Sequence, residues 1–345
     1  MNILYHLTVL PPKMPEAEAM SQEISALRAH FGGDLVYLNP NQFSPVYVPR
    51  LLFGLHKLRQ LWAREATLQL HQLYNPDPFP FPILRLLRRP VIYTLSCGVG
   101  NKRPNVAFLN ALAAVTVSDE RSLKRLKSWG VDNSHLVRPG IDKSRFTFSP
   151  LPLGSEVRLM VGSAPWARTQ FRTKGVEALL SAAQQSPNLH LIFLWRGVLA
   201  EEMEARVRRM NLGKQVMVLN RRVDVNQVLA DVHASITLAD SPAIVRSYPH
   251  SLMDSLAAGK PILVSRAIPM SDYVEQTSCG QVVERVEPDS IMAAVEALAL
   301  RYEDLQKAAR QVGGRDFSQQ AMIASFQKVY DRVMHSRVMH STNRV

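Results

Sequence analysis

The sequence predicts an α/β protein made of two doubly wound parallel-sheet domains in series. Three observations carry that expectation. The chain has 345 residues, more than a single hydrophobic core usually serves. Short apolar runs alternate with amphipathic stretches, the pattern of strands buried on both faces with helices covering them. The alternation breaks once, at residues 146–156 (FTFSPLPLGSE), where two prolines and a glycine mark a linker, and then resumes.

In the first half, apolar runs at 2–7, 34–38, 68–73, 90–95, 113–117 and 135–137 read as strands. Helical periodicity falls at 17–29, 50–64 and 119–129. In the second half, strands are expected at 158–161, 190–194, 216–219, 234–238, 261–264 and 281–283, with helices at 174–184, 200–210, 226–231 and 289–300. A last helix over 318–334 sets Met322, Phe326, Val329, Tyr330 and Val333 on one apolar stripe. Too little chain follows it to begin another domain, so it must pack on an existing one. The pentapeptide RVMHS then occurs twice, at 332–336 and 337–341, and reads as a frayed end. The expected division is 1–150 and 151–315, with 316–334 as the closing helix and 335–345 as a tail. Doubly wound sheets bind ligands beyond the carboxyl ends of their strands, so a cleft between the domains is the expected site.

Composition excludes several classes. With 46% hydrophobic and 20% charged residues the chain is globular. No apolar run approaches the roughly 18 residues of a membrane-spanning helix. The first residues, MNILYHLTVLPPKM, carry neither a basic leader nor a small-residue cleavage site, so a cytoplasmic protein is expected, its two cysteines (Cys97 and Cys279) reduced. The histidines are scattered without H-x-x-x-H or H-E-x-x-H spacing, and no metal site is expected. The formal net charge is +12; residues 1–150 hold 18 basic and 10 acidic side chains, and the rest hold 23 and 19. A surplus of this kind suits an anionic membrane surface, an acidic substrate or nucleic acid. Dispersed charges without a recognition module argue against nucleic acid. Segment 50–64 sets Leu51, Leu55, Leu58 and Trp62 beside Arg50, Lys57, Arg59 and Arg64, and 83–89 adds Arg85, Arg88 and Arg89. A basic amphipathic helix with a tryptophan can lie on an anionic bilayer at the inner face of a membrane; it can equally cover its own sheet.

Three segments can carry chemistry. In 248–261 (YPHSLMDSLAAGKP), Pro249 suits the first turn of a helix, and Gly259 with Pro261 stops it. The amides of His250, Ser251 and Leu252 then lack intrahelical acceptors and form a cradle for a diphosphate, with His250 able to add a phosphate contact. Asp254, one turn further on, can accept hydrogen bonds from both hydroxyls of a ribose. In 161–175 (VGSAPWARTQFRTKG), a strand ends at Gly162 and a loop carries Arg168, Arg172 and Lys174, cations suited to a pyrophosphate leaving group. Its glycines fit neither the Walker nor the dinucleotide spacing. In 117–146, a strand, a basic helix and another strand lead into the turn Pro139-Gly140-Ile141-Asp142.

Together these segments resemble the family 4 glycosyltransferases, retaining enzymes of the GT-B fold. The resemblance rests on Ser118-Asp119-Glu120 at a strand end, the Pro139-Gly140-Ile141-Asp142 turn, Gly162 followed by Lys174-Gly175, and Asp254, Ala257, Gly259, Pro261 and Ile262 running into a strand. It implies an N-terminal acceptor domain, a C-terminal nucleotide-sugar domain and a last helix that returns to the first domain. It further implies that a sugar moves with retention from a nucleoside diphosphate sugar to a glycan, lipid-linked or small-molecule acceptor, no cofactor or metal being required. Lys174, with Arg168 or Arg172, would stabilise the departing diphosphate, while Gly162, His250, Ser251, Leu252 and Asp254 would hold the donor. The chain departs from the family at several places, among them Asp254 where a glutamate is usual, a longer loop between Gly162 and Lys174, and Pro11-Pro12-Lys13 in place of a glycine pair. Arg246 stands eight residues before Asp254 where a glutamate lies beside the donor sugar, and Ser96 stands where a histidine follows the strand VIYTL. Those departures motivate a second expectation, a catalytically weak GT-B protein that binds a nucleotide or serves as a scaffold.

Overall fold

The computed structural model describes residues 1–12, 18–195 and 197–342, with side chains through 335. The chain forms two compact units: residues 1–140 with 319–345, and residues 141–318. The segment 146–156, read as a linker, lies inside the second unit.

The first unit begins with β1 (Ile3–Leu7), α1 (Ala19–Phe31) and β2 (Asp34–Tyr37), followed by α2 (Leu58–Arg64), β3 (Leu70–Asn75) and β4 (Val91–Leu95). It continues through α3 (Val106–Asn110), β5 (Ala114–Val117), α4 (Glu120–Ser128) and β6 (Ser134–Leu136). The strands form one parallel sheet in the order β2-β1-β3-β4-β5-β6. Every residue of β1, β3, β4 and β5 is buried, which is why these strands read as apolar runs rather than as alternating ones. On one face Leu4, Leu73, Tyr93 and Val115 pack with Leu61, Phe108 and Leu126 from the helices. On the other face Ile3, Tyr5, Leu70 and Ile92 meet Ile24, Leu27 and Phe31 of α1 and the stripe of the C-terminal helix (Gln319–Thr342). That helix runs on through both RVMHS copies, so the expected frayed tail is corrected as far as residue 342; residues 343–345 and the expected start of α1 at residue 17 lie outside the described residues.

The single helix expected over 50–64 is not formed. Two short 3-10 turns, Arg50–Leu52 and Leu55–Lys57, precede the seven-residue α2. The cause is Gly54, which takes φ +81; a Cβ there would sit 2.7 Å from Ile83 Cδ1, so the chain turns at a place that only glycine fits. Leu51 and Leu52 are left exposed, whereas Leu61 is buried and Trp62 Nε1 donates to Leu86 O at 2.8 Å.

The second unit begins with β7 (Val157–Val161), α5 (Gln170–Thr173), α6 (Val176–Gln185), β8 (Leu189–Leu194) and α7 (Ala200–Arg209). β9 (Val216–Leu219), α8 (Val225–Ala230), β10 (Ala234–Thr237) and α9 (His250–Ala257) follow. It closes with β11 (Ile262–Ser265), α10 (Met270–Thr277), β12 (Gly280–Val283), α11 (Pro288–Leu300) and α12 (Tyr302–Arg315). All six strands are parallel, in the order β12-β11-β10-β7-β8-β9. The order reverses between β7 and β10, and at such a switch point neighbouring crossovers leave opposite faces and open a crevice at the carboxyl ends. Leu159, Leu191, Ile236 and Leu263 pack on α6, α7 and α11, while Ile262 and Val264 pack on α9, α10 and α12. At the edge of the unit Ile141 bridges Ser318, and its amide donates to Phe317 O at 2.8 Å.

Candidate functional site

The residues expected to hold a diphosphate gather at the β7/β10 switch point. Gly162 follows β7, and a Cβ on it would lie 2.3 Å from Ser251 Oγ and 2.5 Å from Ser251 Cβ. Only a glycine lets the strand end approach the start of α9 so closely. Ser251 Oγ in turn lies 3.2 Å from Thr237 Oγ1, at the end of β10. After Gly162 the chain turns sharply, with Ser163 at φ +65, a conformation costly for a residue with a Cβ and common at ligand-holding turns.

Lys174 lies beneath the loop that Gly162 opens. Its side chain is largely buried, and Nζ donates to Ala164 O at 3.2 Å while sitting 6.0 Å from the Trp166 ring. The neighbouring loops are tied down: Asp240 N donates to Thr173 O at 2.9 Å, and Ser265 Oγ both accepts from Ala239 N and donates to Ala239 O. A strand end, a helix start and a buried ammonium group are thus fixed around one crevice.

The two arginines of the loop are arranged differently from Lys174. Arg168 is exposed, and its Nε pairs with Glu202 Oε2 of α7 at 3.0 Å. Arg206 also holds Glu202 and, at 2.9 Å, Glu177; hydrogen bonding from Arg206 is the main reason the Glu202 carboxyl lies below its usual range. Arg172 lies on an exposed position of α5. Arg246 and Asp254 are half-buried, Arg246 after a 3-10 turn (Pro242–Ile244) and Asp254 in the second turn of α9.

One expectation at α9 is corrected. Leu252 N donates to Pro249 O at 3.0 Å and Met253 N to the same oxygen at 3.2 Å. Pro249 is extended, φ −61 and ψ 129, and its carbonyl closes the first turn. The Leu252 amide is therefore spent within the helix, and the amides of His250 and Ser251 precede it at the leading edge. Thr237, Ser265 and the Ala164 carbonyl were not read from the sequence; their only signal was their place at or just past a strand end.

In the first unit Ser96 is buried just past β4, its amide donating to Asn75 O at 3.0 Å. Around the same carboxyl ends lies a polar cluster that the sequence reading missed. Thr8 Oγ1 donates to Asn75 Oδ1, Arg50 reaches Asp77 through two nitrogens at 2.5 and 3.0 Å, and Tyr93 OH donates to Asp77 O at 3.0 Å. Arg50 also stacks on Phe79, 4.4 Å from its centroid. Burial is the largest influence and pushes the Asp77 carboxyl up, but the hydrogen bonds and charge of Arg50, together with hydrogen bonds from Asn75 and the backbone, hold the group below its ordinary range. Asp119, part of the family motif, is the N-cap of α4 and accepts from Ser122 N at 2.7 Å.

Both cysteines are free thiols. Among the described residues no group of three or more His, Cys, Asp or Glu could hold a metal ion, and no helix is long and apolar enough to cross a membrane.

Residues 166–312 match the family of glycosyl transferases group 1. No curated protein is similar enough in sequence to match. Among solved structures, a sucrose-phosphate synthase from Thermosynechococcus elongatus superposes with TM-score 0.74 at 16% identity, over 97% of this chain and 100% of its own. HepE from Anabaena, in complex with UDP, gives 0.69 at 14% identity over 96% and 100%. WaaG, a glycosyltransferase involved in lipopolysaccharide biosynthesis, gives 0.65 at 13% identity over 96% and 99%. These likenesses show the GT-B fold, two Rossmann-like units in one chain.

Proposed function

We propose that this chain, a glycosyltransferase of GT-B fold whose residues 166–312 match the group 1 family, moves a sugar from a nucleoside diphosphate sugar bound by the second unit to a glycan or lipid-linked acceptor bound by the first, with retention at the anomeric carbon. The observation that carries the reading is the seating of Gly162 against Ser251 at the switch point, with the Lys174 ammonium fixed under the same loop. Breaking the anomeric C–O bond leaves two negative charges on the terminal phosphate. A pre-set cation and the leading amides of α9 stabilise that charge most in the transition state, which is where stabilisation raises the rate. The departing phosphate oxygen takes the acceptor's hydroxyl proton, so no side-chain base is needed. Of the two arginines, Arg172 is the better partner for Lys174, because Arg168 already pairs with Glu202. Asp254 holds the ribose, and Arg246 lies beside the donor. The HepE structures with UDP and with UDP-glucose favour uridine as the base. Exposed Arg85 and Arg88, with exposed Leu51 and Leu52, support contact with an anionic lipid surface.

The test is turnover over a panel of UDP-, GDP- and ADP-sugars, scored as acceptor transfer or slow donor hydrolysis. Lys174→Ala is expected to lower kcat about 10²–10³-fold; unchanged turnover removes Lys174 from the mechanism. Arg246 and Ser96, at positions where the family carries other residues, favour a second reading as a nucleotide-binding scaffold. Binding of a donor without turnover on the whole panel would select it.

A further inference from the structure

We propose that the amino-terminal end of the first unit's sheet carries a separate anion site, built to take a ligand with two or more phosphate charges. The inference deepens the expected contact with anionic surfaces but does not depend on the donor site. A cavity of about 910 Å³ opens where β4 and β5 begin, beside β6 and the C-terminal helix. That volume falls in the range of small-molecule sites, in a pocket open to solvent along Arg85, Arg88 and Arg332. Among the described residues its polar lining is Arg85, Arg88, Arg89, His135, Arg332 and His335, with no acidic side chain. Ser96 and the Arg50–Asp77 cluster lie past the other ends of the same strands, and Lys174 belongs to the other unit.

Arg85, Arg88 and Arg89 make contacts with rings and a backbone oxygen. Arg85 lies over Phe108 at 5.4 Å, Arg88 over Trp62 at 4.9 Å, and Arg89 Nε donates to Glu65 O at 2.9 Å. The Glu65 carboxylate accepts the backbone amides of Arg88 and Arg89, at 2.6 and 3.1 Å, not their guanidinium groups. It therefore fixes the path of the chain around the cavity. Arg332 Nη1 is 3.5 Å from His135 Nδ1, so the C-terminal helix contributes a cation to a site begun by residues more than two hundred positions earlier. Burial, then Arg332 and Lys127, push the His135 imidazole down, the sign expected in a positive field. Four arginines lining one pocket suit phosphate oxygens, which accept paired N–H donors. A free diphosphate and a phosphorylated lipid headgroup share this chemistry.

The experiment is calorimetric titration of the full chain with inorganic pyrophosphate, in a Lys174→Ala background that removes the second unit's buried cation. Saturable binding is expected, weakened at least tenfold by Arg85→Gln with Arg332→Gln and falling as salt rises. Should the double variant fail to fold, Arg332→Gln alone carries the test, since that side chain is exposed. No binding, or binding indifferent to these substitutions, overturns the site. Vesicles of phosphatidylcholine with and without phosphatidic acid separate the sources. Acid-dependent binding lost on the same substitutions assigns a lipid headgroup; pyrophosphate binding without vesicle binding assigns a soluble phosphate ester.

Discussion

His6 and His71 stand 65 positions apart on neighbouring strands, yet their rings form one buried chain with a carboxylate. His71 Nε2 lies 3.1 Å from Glu65 Oε1, and His71 Nδ1 lies 2.9 Å from His6 Nε2. With Glu65 ionised, the protons fall in one pattern: His71 donates from Nε2, accepts at Nδ1 from His6 Nε2–H, and His6 Nδ1 is left without a partner among the described residues. Both imidazoles are neutral, pushed down first by burial, His6 well below the ordinary 6.5. A base with a depressed folded pKa leaves stability flat above its unfolded pKa. Below pH 6.5 stability falls, because the unfolded chain takes up protons that the fold excludes. Melting curves between pH 7.5 and 5 are expected to show that loss, and His6→Leu should make it shallower by up to about 1.4 kcal/mol per pH unit. Parallel curves for the two proteins would contradict the assignment. Lys260 presents the same physics on another base. It is fully buried, its Nζ has no hydrogen-bond partner among the described residues, and burial lowers its pKa to about 8 despite Asp231. Lys260→Met is expected to stabilise the protein by on the order of 2 kcal/mol at pH 7. The gain should shrink as pH rises from 8 toward the unfolded value of 10.5, well above which the wild-type lysine is neutral in both states. A gain independent of pH would show that packing, not charge, decides it.

Among the elements, the C-terminal helix shows what periodicity can and cannot supply. Its stripe was legible, and Met322, Phe326, Val329, Tyr330 and Val333 are all buried against β1, β3 and α1. Its length was not, because the polar repeat beyond residue 334 has no apolar stripe to read. Phe326 is 3% exposed and stacks on Tyr330 at 5.8 Å. Phe326→Ala is expected to cost about 3–5 kcal/mol. Hydrogen exchange should show that cost in β1, β3 and α1 and leave β7 to β12 protected; an equal loss in both units would contradict the helix's membership of the first. The strands were legible because parallel strands buried on both faces are written as runs such as VIYTL. The helix over 50–64 was misread because its apolar spacing continues across Gly54, whose turn is demanded by Ile83, a residue remote in sequence. α12 was missed because Gly313 and Gly314 interrupt its last turn.

At the scale of the whole molecule, the sequence exposed those parts of the site that are local in the chain. Gly162, Lys174 and the start of α9 follow from strand ends and helix stops, and two of them meet in space. What stayed hidden depends on contacts between separate βα units: Ser265 against Ala239, Arg168 drawn to Glu202, and the arginine-lined cavity completed by the last helix. Spacing could not report these, since each joins residues from separate crossovers. The position of a bound nucleoside diphosphate decides whether the second unit is the donor site. Hydrogen exchange on the full chain, with and without saturating UDP, GDP or ADP, locates it. One of the three is expected to slow exchange of amides in 162–175 and 250–254 while leaving the first unit's strands unchanged. Slowing elsewhere only, or none with any of the three, would contradict the assignment of the second unit as the donor site.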